Sequence, residues 1–199
     1  MYKKINITEN TLQVLELFTK FSENLDSEYY IREVQKILNI SPRTAQLILD
    51  DLEKKGIIES KTRGKIKTYK LKNNEFAKRY IILTEQYKKI SFLEDRPLIN
   101  EIIENISGYI KGIGIIFGSY VKGLEKKVSD LDVLVIGSCK EEKIKEISKN
   151  YRIEINLKIY PERVFKKEIK KDFLLKEILK NHIVFSGIEG FIESVFENG

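Results

Sequence analysis

Cysteine and histidine each occur once in the 199 residues, and tryptophan not at all. A single cysteine, Cys139, excludes a disulfide framework and fits a reducing cytosol, where a lone thiol after a strand is a passive residue. The single histidine, His182, lies far in sequence from the acidic motif described below, so no catalytic role is assigned to it. No stretch approaches eighteen uncharged apolar residues. The polar start Met1-Tyr2-Lys3-Lys4 lacks the apolar region of a signal peptide. A soluble, cytoplasmic chain without membrane contact is therefore expected. There is no Gly-Lys-Ser/Thr phosphate loop. Gly112-Ile-Gly114-Ile-Ile-Phe-Gly118 has one residue too many for a dinucleotide fingerprint and lies inside a predicted strand.

What is present is positive charge, +6 overall, and it is not evenly spread. Residues 61 to 72 carry six Lys or Arg and no acid, and over 41 to 72 nine basic residues face four acidic ones. Ahead of this segment the apolar spacing predicts a helix over 8 to 22 and a second over 30 to 38. Ser41 is a natural N-cap with Pro42 at the first helical position, which starts a third helix running to Lys55 before Gly56. Its predicted buried stripe is Ala45, Ile48, Leu49 and Leu52, leaving Arg43, Thr44, Gln46 and Asp50 outward. Ile57 to Ser60 and Lys67 to Leu71 read as two strands of a hairpin around Thr62-Arg63-Gly64.

The second informative stretch is Gly118-Ser119-Tyr120-Val121-Lys122-Gly123, followed by Ser129-Asp130-Leu131-Asp132-Val133-Leu134-Val135. The apolar run Ile113 to Phe117 predicts a buried strand ending in a Gly-Ser turn. Backbone N–H groups and the Ser119 hydroxyl there can meet a triphosphate at the start of a following helix. In the next strand Asp130 and Asp132 are two apart and share a face, while Leu131, Val133 and Val135 point to a core. Two hard oxygen ligands on one face suit Mg²⁺.

Gly-Ser-x-x-Lys-Gly followed by Asp-x-Asp resembles the active-site signature of the DNA polymerase β-like nucleotidyltransferase superfamily, in particular its minimal nucleotidyltransferases, over roughly residues 96 to 199. The resemblance implies Mg²⁺ (or Mn²⁺) held by Asp130 and Asp132, and a nucleoside triphosphate contacted by Gly118, Ser119 and Lys122. It also implies a third carboxylate on a neighbouring strand. The candidate strand is 152 to 160, with Ile153, Ile155, Leu157 and Ile159 on one face and Glu154, Asn156 and Lys158 on the other. Glu154 is the candidate third catalytic and metal-binding acid. With Asn156 in that place instead, catalysis weakens or disappears, because an amide ligates a metal but does not act as a base.

The order helix, helix, capped helix and basic hairpin resembles a winged helix-turn-helix. That resemblance implies double-stranded DNA as partner, with Arg43 and Gln46 at base edges, Thr44 beside them, and Lys61, Arg63, Lys65 and Lys67 on phosphates. The expected fold class is α+β. A winged helix-turn-helix spans 1–73 and a helical linker or homodimer contact 74–94. A nucleotidyltransferase-type domain with a mixed sheet flanked by helices spans 95–199. Two functions follow. One is metal-dependent transfer of a nucleoside monophosphate to a hydroxyl of a protein, RNA or small molecule, antitoxin-like if the acceptor is a separate partner protein. The other is a DNA-binding regulator whose nucleotidyltransferase-like domain is catalytically silent and senses a nucleotide or binds a partner.

Overall fold

The computed structural model describes residues 7–20, 27–126 and 129–197. The chain divides into two compact units, the boundary falling between Thr84 and Glu85, within the segment expected to link the domains.

In the first unit, helix α1 (Glu9–Leu17) begins at Thr8, whose hydroxyl accepts from the Thr11 amide at 3.2 Å. The expected extension of this helix to residue 22 stops short. The amides of Phe18 and Thr19 turn back to Leu15 and Glu16 at 3.0 Å each, and residues 21 and 22 lie outside those described. Strand β1 (Tyr29–Tyr30) precedes helix α2 (Ile31–Leu38), which ends at Asn39 in the left-handed region, φ 51°. Helix α3 (Pro42–Lys54) starts as its sequence predicts, with the Ser41 hydroxyl accepting from the Thr44 amide at 3.0 Å. Strands β2 (Ile58–Arg63) and β3 (Ile66–Leu71) form the antiparallel hairpin, and β1 adds to its β3 edge to give the order β1-β3-β2. Val14, Leu15, Val34, Ala45, Leu49, Leu52 and Ile57 are fully buried; each large aliphatic among them stabilises the unit by about 1.5–3 kcal/mol.

Helix α4 (Glu75–Glu94) contains the division between the units. The second unit continues with α5 (Pro97–Ser107), β4 (Ile110–Phe117), β5 (Leu131–Cys139), α6 (Glu141–Tyr151), β6 (Ile155–Tyr160), α7 (Glu162–Glu168), α8 (Phe173–Lys180), β7 (Ile183–Ser186) and α9 (Ile188–Glu197). Its sheet has the order β6-β5-β4-β7. The β5–β6 pair is parallel and the other two pairs are antiparallel, so the sheet is mixed.

One face of β5, Leu131, Val133 and Val135, packs with Ile99, Ile102, Ile103 and Ile106 of α5 and Ile144 of α6. That assignment frees the alternate positions, Asp132 among them, for the other face. Helices α7 and α8 are separate elements. Asp172 accepts from the Leu175 amide at 2.9 Å and so caps a new helix, α8. No helix among the described residues is long and apolar enough to cross a membrane.

Candidate active site

The site is built at one end of the sheet, where β4 stops and β5 and β6 start. Phe117, the last residue of β4, pairs with Asp132, and Asp132 in turn pairs with Asn156 on β6. Between β4 and β5, where a helix was expected to start, the chain makes a single helical turn. Lys122 N–H donates to the Gly118 carbonyl at 3.3 Å, Gly123 N–H to Tyr120 at 3.4 Å, and Leu124 N–H to Ser119 at 3.0 Å. With Gly123 at φ 65°, the last two bonds form a Schellman stop, which explains the second glycine of the Gly-Ser-x-x-Lys-Gly sequence and ends the helix after one turn.

The first glycine is constrained twice. Gly118 has φ 78°, and a Cβ built there would run into the Asp132 carboxylate. The turn that starts at Gly118 therefore lies directly against Asp132, a closeness only glycine permits. Ser119 is half-buried and Lys122 exposed.

The Asn156 side-chain amide reaches both acids, 3.3 Å from Asp130 Oδ2 and 3.4 Å from Asp132 Oδ1. Glu154 precedes the first residue of β6 and is exposed. Its carbonyl accepts from Leu131 N–H at 2.8 Å, while its carboxylate does not join the two aspartates. Among the described residues no group of three His, Cys, Asp or Glu side chains comes together to hold a metal ion. Lys158 stands exposed two pairs further along the β5–β6 ladder, opposite Leu134.

The donor set fits a single divalent cation. Two carboxylates flank one amide, and rotation of that amide by half a turn exchanges its N–H₂ for an oxygen donor. Asp130 and Asp132 with Asn156 Oδ1 are the groups that would hold it. Such an ion, if bound there, would supply positive charge to neutralise phosphate oxygens.

Side chains at positions the Gly-Ser-x-x-Lys-Gly and Asp-x-Asp patterns leave unspecified fix the loop that returns to β5. The Tyr120 hydroxyl donates to the Ser129 carbonyl at 3.2 Å, and the Ser129 hydroxyl accepts from Lys126 N–H at 2.7 Å. Burial pushes the Tyr120 phenol up, and the charges of Glu125 and Asp130 add to that. Sequence reading missed these residues, since neither a tyrosine nor a serine at such spacing carries a recognisable signal.

In the first unit the structure brings Arg43 and Gln46 together on the exposed side of α3, 3.5 Å apart. The Thr44 hydroxyl is instead engaged with Ser41 at 2.8 Å, inside the helix cap. On the hairpin, Lys61 and Lys65 are exposed. Lys67 is turned back onto the Glu53 carboxylate at 2.8 Å and lies 4.8 Å from the centre of the Tyr69 ring. Arg63 pairs through its backbone with Ile66, and its side chain lies outside those described.

Comparison with curated proteins and with solved structures gave no match. Residues 98–186, by contrast, match the family model of the nucleotidyltransferase domain, and the chain therefore carries such a domain across the strands β4, β5, β6 and β7.

Proposed function

We propose that the second unit binds a nucleoside triphosphate with one divalent cation, Mg²⁺ or Mn²⁺, and transfers its nucleoside monophosphate slowly to a hydroxyl acceptor. The first unit docks the chain on double-stranded DNA. The observation that carries the first part is the contact of the Gly118 turn with Asp132 beside Asp130. Backbone N–H groups of the turn, with Ser119 and Lys122, hold the phosphates. Asp130 and Asp132 hold the cation. The acceptor oxygen forms its bond to the α-phosphorus as the bond to pyrophosphate breaks, and the acceptor's proton passes to water or to one of these two carboxylates.

Asn156 lies where a third carboxylate would serve as base, and an uncharged amide takes no proton at neutral pH. The same contact favours a second reading, in which nucleotide is bound and sensed without transfer. Incubation of the purified chain with Mg²⁺ and each labelled triphosphate, in the presence of cell lysate, separates the two. General-base catalysis contributes about 10²–10⁴-fold, so Asn156→Asp is expected to raise transfer at least roughly tenfold, and Asp130→Asn to abolish it. Binding of a triphosphate without transfer in either the natural chain or Asn156→Asp supports the sensing reading. Absence of any triphosphate binding defeats both.

For DNA, the winged helix-turn-helix reading is supported by the Arg43–Gln46 pair and the exposed Lys61 and Lys65. Arg43 and Gln46 address base edges, and Thr44, Lys61, Arg63, Lys65 and Lys67 support backbone contact. An acceptor on a separate partner protein and pairing of two copies through the 74–94 segment belong to the same proposal.

A further inference from the structure

The residue that precedes α5 is joined to the loop that delivers Asp130. Arg96 Nε and Nη2 both donate to Glu125 Oε1, at 3.1 and 2.8 Å, and Nη1 donates to the Phe92 carbonyl at 3.3 Å. The guanidinium also lies 4.6 Å from the centre of the Phe92 ring, and Phe92 is itself buried in the core under the sheet. Arg96 is thus fixed from two sides before it reaches Glu125, so the contact costs little side-chain entropy. Five residues after Glu125 comes Asp130, and the two are linked through Lys126 N–H to Ser129 Oγ and Ser129 O to Tyr120 OH. Tyr120 belongs to the turn that begins at Gly118. One bonded set therefore connects α5, the phosphate turn and the aspartate.

We propose that Arg96 and Glu125 form a clamp that sets the position of Asp130 against the Gly118 turn, making Arg96 a positioning residue of the cation site. The inference rests on the reading of that site given above. Arg96 lies just outside the span matched by the family, so the motif does not supply this role. Without the clamp the ties of the loop end to the rest of the unit, among the described residues, are Tyr120, the Leu131 amide on the Glu154 carbonyl and the long contact of the Asn156 amide with Asp130. Asp130, exposed at the mouth of the strand, then loses a fixed place beside Asp132.

The test uses the full chain, with Arg96→Gln, Glu125→Gln and the double variant, and two readouts. The first is site-resolved amide hydrogen exchange without ligand. Arg96→Gln should speed exchange at Leu124 and Leu131 and leave Ile115 in β4 unchanged. The second is Mn²⁺ alone, followed by electron paramagnetic resonance. Removing a partner that orients a metal ligand weakens affinity about 10–100-fold, and roughly tenfold is expected here, with the double variant no worse than either single one. Unchanged exchange at Leu124 and Leu131 overturns the clamp, whatever Mn²⁺ does. Faster exchange there with unaltered Mn²⁺ affinity overturns its positioning role. If the natural chain holds no Mn²⁺ at all, the cation site itself fails, and the exchange result alone then decides whether the clamp exists.

Discussion

Gly118 is the single position at which local backbone and site chemistry depend on the same missing atom. Its φ of 78° disfavours any side chain, and the space a Cβ would fill is already taken by the Asp132 carboxylate. Gly118→Ala is expected to destabilise the second unit by about 1–3 kcal/mol through backbone strain. It should also push Asp132 off its place, so triphosphate binding measured by calorimetry falls more steeply than stability measured by denaturant. Equal retention of binding would show that the turn does not touch the phosphates. At this scale the sequence was informative where parity suffices. The spacing of Asp130 and Asp132 and the alternation of Glu154, Asn156 and Lys158 were read as a pleat, although Asp130 and Glu154 each lie one residue before their strands. Which of Glu154, Asn156 and Lys158 lands beside the aspartates was not readable, because it depends on the register of a parallel pair, Asp132 opposite Asn156, and nothing local to either strand encodes that offset.

Helix α4 and His182, the residue just before strand β7, contribute an interaction that no linear pattern announces. Glu85 is fully buried, and its carboxylate lies 2.8 Å from Lys88 Nζ and 3.5 Å from His182 Nε2. Burial, the largest single influence, would raise the Glu85 carboxyl, but Lys88 and His182 together, by charge and hydrogen bonding, outweigh it and hold the group down at about 2. His182 is pushed below its usual range, first by burial and then by the Lys88 charge. It is neutral at pH 7, with Nδ1 at 3.0 Å from the Leu179 carbonyl.

Both groups bind protons more readily in the unfolded chain. The stability they contribute is therefore complete above the ordinary histidine range, begins to fall as pH drops through it, and is lost further as pH passes from the usual carboxylate range toward 2. Lys88→Met leaves a buried charge and should cost about 3–5 kcal/mol, whereas Glu85→Gln with Lys88→Met should recover most of that and flatten the acid limb of stability against pH. A single variant no less stable than the natural chain would show that the pair is not buried in solution.

Element boundaries were legible where chemistry marks them, as at Ser41 and Pro42. They were overextended where apolar alternation runs on into a loop. The strand read from 152 starts only at Ile155, because Arg152 closes α6 in the left-handed region, φ 54°.

For the whole chain, the distribution of charge decides where nucleic acid can act. Net charge over residues 41 to 72 is nearly the entire +6 of the protein, so the rest is close to neutral and offers phosphates little long-range attraction. DNA affinity should therefore fall with salt through contacts on α3 and the hairpin alone, and Asp130→Asn should leave it untouched. Each phosphate contact removed flattens the slope of log K against log salt by about 0.9, which is the expected effect of Lys61→Ala or Lys65→Ala, read by fluorescence anisotropy on a duplex from upstream of the coding sequence. Lys67→Ala should flatten it less. Its ammonium is already committed to Glu53, which the Ser60 hydroxyl also contacts at 2.5 Å, and the carboxylate is held below its ordinary range by Lys67 first and Ser60 second. Swinging Lys67 out to a phosphate would break that pair, so its loss should appear as lower hairpin stability before it appears in DNA binding. A slope change at Lys67 as large as that at Lys61 would mean that the pair opens on DNA and that the hairpin reshapes when it binds.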